Sequence, residues 1–338
     1  MKTRLPLHRS LFGDTPRTLL ENGDFSVKLF RYPAGIEAVR LENSRGHVIV
    51  LPFYGQMIWD AEFDGQTLTM GNGFTQPLPG QDIIDTYGCF AFHSGLLANG
   101  CPAADDTHAL HGEMACARMD SAWVELENDR VALRGETNYI KGFGHHYRAS
   151  PGVTLLAGRP RLRIEMVVSN LSGSAMPLQY MCHMNYAYVE NGTFSQSIPD
   201  SAFQLRTSIP GHVHPTPNWL DYTRQLQASP QAFDGLNRPE MYDPEIVFFA
   251  DNLAQYGSKA EFQLHSPEGY GFSTIFDTAQ FNYATRWILH NADQQVAAFV
   301  LPATCRPEGF NAAKQAGTLI SLESGEQRQF CVETGLIE

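Results

Sequence analysis

The sequence predicts an all-β protein, a sandwich or barrel of antiparallel strands with few short helices. Three observations carry that expectation: many short segments alternate apolar and polar residues, turn signals separate them at close spacing, and helical periodicity is nearly absent. The chain has 338 residues, of which 43% are hydrophobic and 18% charged, with 13 Tyr and 21 Phe. That composition fills a substantial core and is unlike that of a disordered chain. Single all-β domains run to this size. The expected organisation is one β-domain over residues 26–338, preceded by an N-terminal arm over 1–25 that lies across the body.

Residues 1–25 are polar and punctuated by Pro and Gly, which argues for the arm. Alternation then begins with GIEAVRLEN, GHVIVLPF and MIWDAEF, where Met57, Trp59, Ala61 and Phe63 share one face. Asp64-Gly65 is a two-residue hairpin signal, since both residues tolerate positive φ, and QTLTM returns as the partner strand. Residues 71–110 are rich in Gly and Pro, a long loop of the kind that compact domains keep for function. Strands resume at WVELE, VALRGETN and RLRIEMVVSN, the last with Leu162, Ile164, Met166 and Val168 on one face. MPLQYMCHMNYAYV continues the β pattern.

Residues 205–245 are proline-rich, and proline removes ladder donors, so this region is expected to cross the surface outside any sheet. EIVFFA, AEFQLH and YGFSTIF follow as strands, the last two joined by a turn at Pro267-Glu268-Gly269. TLISLE and RQFCVE, around Ser324-Gly325, are expected to form a final hairpin, and PEGFNAAKQAG is a short helical piece. No Gly-rich phosphate loop stands at a strand-to-helix junction, which weakens a kinase or dinucleotide reading.

The formal charge of −12 and pI near 5.4, with no cluster of Lys and Arg, oppose a nucleic-acid partner and favour a neutral substrate. Pro6, His8 and Arg9 interrupt the N-terminus before an apolar run forms, so no secretory signal is expected, and no run is long enough for a membrane-spanning helix. Six scattered cysteines without a CxxC pair fit reduced thiols in a cytoplasmic protein. His108 with His111, His212 with His214, and adjacent His145-His146 lack a third ligand at metal-site spacing, so no metal is expected.

Two histidines stand out. His111 lies in HALHGEM (108–114) and His183 in CHMNYAY (182–188), each in an apolar or neutral neighbourhood. An imidazole exchanges protons near neutral pH, so a converging pair suits acid–base work, whereas a core histidine or a turn residue is the plainer reading of each. Trp287 and Trp219 are candidate aromatic surfaces for a small-molecule pocket beside them, the latter in the proline-rich region that could fold over the cleft as a lid.

LHGEM at 110–114, CHMNYAY, YDPEIVFF at 242–249 and LPATCRPEG at 301–309, in that order, resemble the aldose 1-epimerase (galactose mutarotase-like) superfamily, and the loop HSGLLANGCPAADDTHALHGEM resembles a less characterised branch of it. The resemblance implies a large antiparallel β-sandwich of the supersandwich kind that holds a monosaccharide or sugar derivative, and an isomerase that interconverts anomers without a cofactor. It implies His183 as the acid toward the ring oxygen and His111 as a ring-oxygen or hydroxyl partner. Asn99 resembles the family's Asn ahead of Leu-His-Gly, although the arginine usual in that neighbourhood is missing, and Asp243 loosely resembles an aspartate that grips hydroxyls. Where relatives carry the Glu of Glu-Pro-Ala as base, this chain has Leu301. Losing a positioned base costs about 10²–10⁴ in rate. Glu308 is then the nearest substitute and His290 a second, or the chain is a carbohydrate-binding protein with weak or lost catalysis. Glu113, Asn185, Trp287 and Arg306 complete the expected substrate-binding set; a surface carboxylate and an ion pair are the structural alternatives for Glu113 and Arg306.

Overall fold

The computed structural model describes residues 3–211, 213–229 and 232–338; His212, one of the loop histidines considered above, lies outside the described residues. Among the described residues, two antiparallel sheets of nine and thirteen strands form a sandwich. Val27, Leu29, Val39, Leu41, Val48 and Val50 of the larger sheet join Leu133, Val153, Ile164, Met166 and Val332 of the smaller one in a single buried core. Alternation turns the intervening residues to the opposite face of the larger sheet, where a second cluster gathers Ala38, Leu51, Trp59, Cys89 and Phe92. That second cluster is the floor on which the long loops rest.

The hairpin signals read from the sequence hold where the turn chemistry is local. Asp64 and Gly65 both take positive φ, +49° and +76°, between Ile58–Phe63 and Gln66–Thr67. Ser121–Leu126 pairs with Arg130–Ile140, and Lys259–His265 with Gly271–Asp277. The expected final hairpin does not form. Ile320–Leu322 pairs with Met176–Met184 in the larger sheet, whereas Gln327–Leu336 lies between Arg161–Asn170 and Gly271–Asp277 in the smaller one. Ser324-Gly325 therefore carries the chain from one layer to the other, with Gly325 N–H donating to Asn170 O.

Residues of the expected arm contribute edge strands to both sheets: Thr3–Leu7 pairs with Ser121–Leu126, and Arg17–Asn22 with Phe25–Arg31. The proline-rich region contains a helix that the proline count hid, α1 (Pro217–Ala228). Its start follows ordinary capping rules, with Thr216 accepting from Trp219 N–H and Pro217 in the first turn. Trp219, Tyr222, Thr223 and Leu226 form its buried stripe. The short piece expected near 310 is the helix α2 (Phe310–Gln315).

Candidate active site

The strand Met176–Met184 runs antiparallel to Ala91–Leu96 in the middle of the larger sheet, and the register sets His183 opposite Phe92. Their rings stack at 4.5 Å with 16° between planes, so the imidazole is seated by its cross-strand neighbour. His111 arrives from the long loop. Its φ of +60° is uncommon for a side-chain-bearing residue, and three backbone bonds hold it there or beside it: His111 N–H to Gly100 O, Gly95 N–H to His111 O, and Met114 N–H to Gly95 O. Gly112 follows at φ +76°, where a Cβ would meet Ala98 O at 2.2 Å. This close backbone approach accounts for the His-Gly pair.

The two imidazoles converge, with ring centroids 4.7 Å apart and 79° between planes. Tyr87 and Trp287 complete the wall: Tyr87 lies 6.0 Å from His183 and 6.4 Å from His111, and Trp287 lies 5.8 Å from His183 and 6.0 Å from Tyr87. Both histidines are largely dry, at 7% exposure for His111 and 3% for His183, whereas Tyr87 and Trp287 are half-buried. Tyr87 Oη stands 3.3 Å from His183 Nε2. Burial first, and His111 second, holds His183 well below the usual histidine range, while Asn185 opposes them weakly. Burial, with Cys89, Cys101 and Glu245 nearby, raises the Tyr87 phenol well above 10.

One carboxylate that the motifs did not single out stands in this wall. Glu245 is 7% exposed; Trp287 Nε1–H donates to its Oε2 at 2.7 Å, and Arg206 is ion-paired to its Oε1. The signal was present two residues past Asp243, in a glutamate that leads directly into the apolar strand Ile246–Asp251. Tyr87 had no such signal, because a short 3-10 turn, Ile83–Thr86, delivers it from the loop.

Several expected site residues do other work. Asp243 is exposed and accepts from Asn291, so the carboxylate of YDPEI that faces the wall is Glu245. Glu113 does not face the imidazoles as a free group: its Oε1 accepts from Leu96 N–H, Leu97 N–H and Tyr147 Oη–H at 3.1, 2.8 and 2.8 Å, tying the loop to the other sheet. Arg306 is clamped on Asp251, with further donation to Gln204, which is the structural ion pair. Asn99 is fully buried behind the wall and accepts from Ser94 Oγ–H. Asn185 lies beside His183 and donates to Cys89 O. Glu308 accepts from Ser208 Oγ–H at 3.1 Å, and its backbone pairs with Gly100. His290 packs on Tyr188, and Trp219 is a core residue whose indole N–H donates to Glu245 O.

Leu301 is 1% exposed. Ala303 pairs with Met181, so two residues along each strand Leu301 and His183 fall on one face of the sheet. The side chain that this strand offers on that face is apolar. Among the described residues no three His, Cys, Asp or Glu side chains cluster as a metal site, all six cysteines are free, and no helix is long and apolar enough to cross a membrane. Two open clefts of about 520 and 470 Å³ lie elsewhere, on either side of Arg9, Phe53 and Arg118.

A family model described as Domain of unknown function (DUF4432) matches residues 33–336. No curated protein matches the sequence significantly. Among solved structures, a candidate aldose 1-epimerase of Klebsiella pneumoniae superposes with a TM-score of 0.82 at 14% identity, over 100% of this chain and 92% of that one. A galactose mutarotase-like protein of Clostridium acetobutylicum gives 0.62 at 12% identity, over 94% and 100%. A candidate mutarotase of Salmonella typhimurium gives 0.62 at 9% identity, over 96% and 97%. At these identities the likeness establishes the galactose mutarotase-like sandwich as the fold.

Proposed function

We propose, from the premise that the chain belongs to the DUF4432 family and has the galactose mutarotase-like fold, that it is an isomerase of the aldose 1-epimerase type acting on a free, uncharged sugar or sugar derivative. The fold alone does not carry that reading, since one fold hosts many chemistries. The observation that carries it is the pair of imidazoles 4.7 Å apart on a wall shared with Tyr87 and Trp287. An aromatic edge and a few fixed polar groups suit a pyranose, with Trp287 offering an apolar surface and Glu245 a hydroxyl acceptor.

The working state holds one proton between the two imidazoles. His183 carries it and gives it to the ring oxygen; His111 takes the proton of the anomeric hydroxyl, and the bond from the anomeric carbon to the ring oxygen breaks. The open-chain carbonyl then rotates. Closure on the other face reverses both transfers, so His183 recovers its proton and neither sugar nor protein gains or loses one. No cofactor enters this reaction.

The test is anomer exchange followed by saturation-transfer NMR across aldoses, ketoses and their derivatives, corrected for buffer. Exchange above buffer for at least one sugar is expected, with His183→Ala abolishing it while leaving the folded spectrum intact. Rates equal to buffer across the panel would sink the isomerase reading. Leu301 favours a second reading, a carbohydrate-binding protein of the same fold without turnover, because an apolar side chain stands on the strand next to His183. That reading expects sugar-dependent thermal stabilisation with no exchange.

A further inference from the structure

Ser94 Oγ sits between two groups, Asn99 Oδ1, to which its hydroxyl donates, and His111 Nδ1 at 3.0 Å. A serine hydroxyl has one proton. Given to Asn99, it leaves the oxygen able only to accept from the imidazole. Its other acceptor within reach, His111 O at 3.4 Å, leads to the same result. In both cases His111 Nδ1 must be the donor of the 3.0 Å bond.

The far end of the chain is anchored. Asn99 N–H donates to Gln179 Oε1 at 2.8 Å, which anchors the residue, and its amide nitrogen lies toward Cys305, buried without a hydrogen-bond partner. The amide oxygen is the atom that faces Ser94. All of Ser94, Asn99 and Gln179 are fully buried, so water does not compete for these bonds.

We propose that Ser94 and Asn99 are positioning residues that lock His111 in the tautomer protonated at Nδ1, which makes Nε2 the proton acceptor for the anomeric hydroxyl in place of the carboxylate missing at Leu301. The catalytic half of this inference rests on the isomerase reading; the tautomer does not. A histidine base needs one ring nitrogen bare, and the bond made by the other nitrogen decides which. The same division of labour is known where an aspartate orients a catalytic histidine, and loss of the correct tautomer there costs about 10⁴ in kcat.

Long-range ¹H–¹⁵N correlation on histidine-labelled full-length protein at pH 7.5 reads the tautomer directly, with His111 assigned by the signals lost in His111→Gln. Protonated Nδ1 and bare Nε2 are expected. A His111 protonated at Nε2 overturns the proposal. Ser94→Ala is expected to give mixed tautomers and to lower kcat by at least about tenfold with KM little changed; Ser94→Thr, which keeps the hydroxyl, restores both. An Ala variant that keeps a pure Nδ1–H signal also overturns it. Should Ser94→Ala fail to fold, Asn99→Asp, which keeps an acceptor for the serine, is expected to retain the wild-type tautomer, and Nε2 protonation in it counts against the lock. The expected tautomer without anomer exchange for any sugar supports the lock and removes the isomerase reading instead.

Discussion

Burial sets the charge state of His183 before any substrate arrives, and His111 beside it acts in the same direction. If His183 is the acid, the active fraction is its protonated form, which is scarce above its depressed pKa. The kcat/KM for anomer exchange should then rise about tenfold for each unit of pH lowered through the neutral range, until the pair takes its second proton. The optimum falls on the acid side of the ordinary histidine range, and a profile that rises toward pH 8 contradicts the acid role. Leu301 makes a second residue-scale test. If His111 Nε2 is the base, Leu301→Glu adds no more than a few-fold to the exchange rate and lowers stability by about 1–3 kcal/mol through burial of a polar group. A rise of about 10²-fold or more would identify the empty base position as the defect instead.

Elements decide how that pair is presented. One histidine sits on a paired strand, and the other on a loop whose turn depends on Gly112. A Cβ at Gly112 would stand 2.2 Å from Ala98 O and 2.6 Å from Gly95 O, at φ +76°. Gly112→Ala should cost at least about 1–3 kcal/mol and remove anomer exchange, because the loop must shift at the residue next to His111; urea titration and saturation transfer read the two effects. The helix α1 is expected to be separable from this. Thr216→Ala removes an N-cap worth about 1 kcal/mol, and hydrogen exchange should quicken within α1 while His111 and His183 keep their signals. Coupled loss at both places would mean that α1 supports the wall through the Trp219 bond to Glu245.

At the scale of the whole molecule, two buried histidines make stability depend on pH. His93, in the core against Tyr180 Oη at 2.8 Å, is pushed down to about 3 by burial, and His183 is lowered as well. Both stay neutral in the folded chain at pH values where the unfolded chain, with histidines near 6.5, binds protons. The unfolded state then holds more protons, so stability falls as pH drops below about 6.5, by about 1.4 kcal/mol per pH unit for each such histidine. Their contribution is intact above that pH. Urea unfolding between pH 7.5 and 5.0 measures the slope, and His93→Gln should reduce it by one histidine's share; an unchanged slope would place the protons elsewhere.

Local alternation and turn chemistry made the sandwich legible in the sequence, as Val39 and Leu41 against Arg40, or Asp64-Gly65, illustrate, because each is a property of a few consecutive residues. The same local signals misjudged TLISLE and RQFCVE, which resemble a hairpin but belong to different sheets. His111 and His183 stood out as chemistry-bearing residues in otherwise apolar or neutral segments. Their 4.7 Å approach, the substitution of Glu245 for Asp243 in the wall, the withdrawal of Glu113 and Arg306 into structural bonds and the place of Asn99 behind Ser94 were settled only by folding. The reason is geometric. A strand pattern fixes which face a side chain takes, but which partner meets it across tens of residues depends on loop paths and on the competition among buried donors and acceptors for one another.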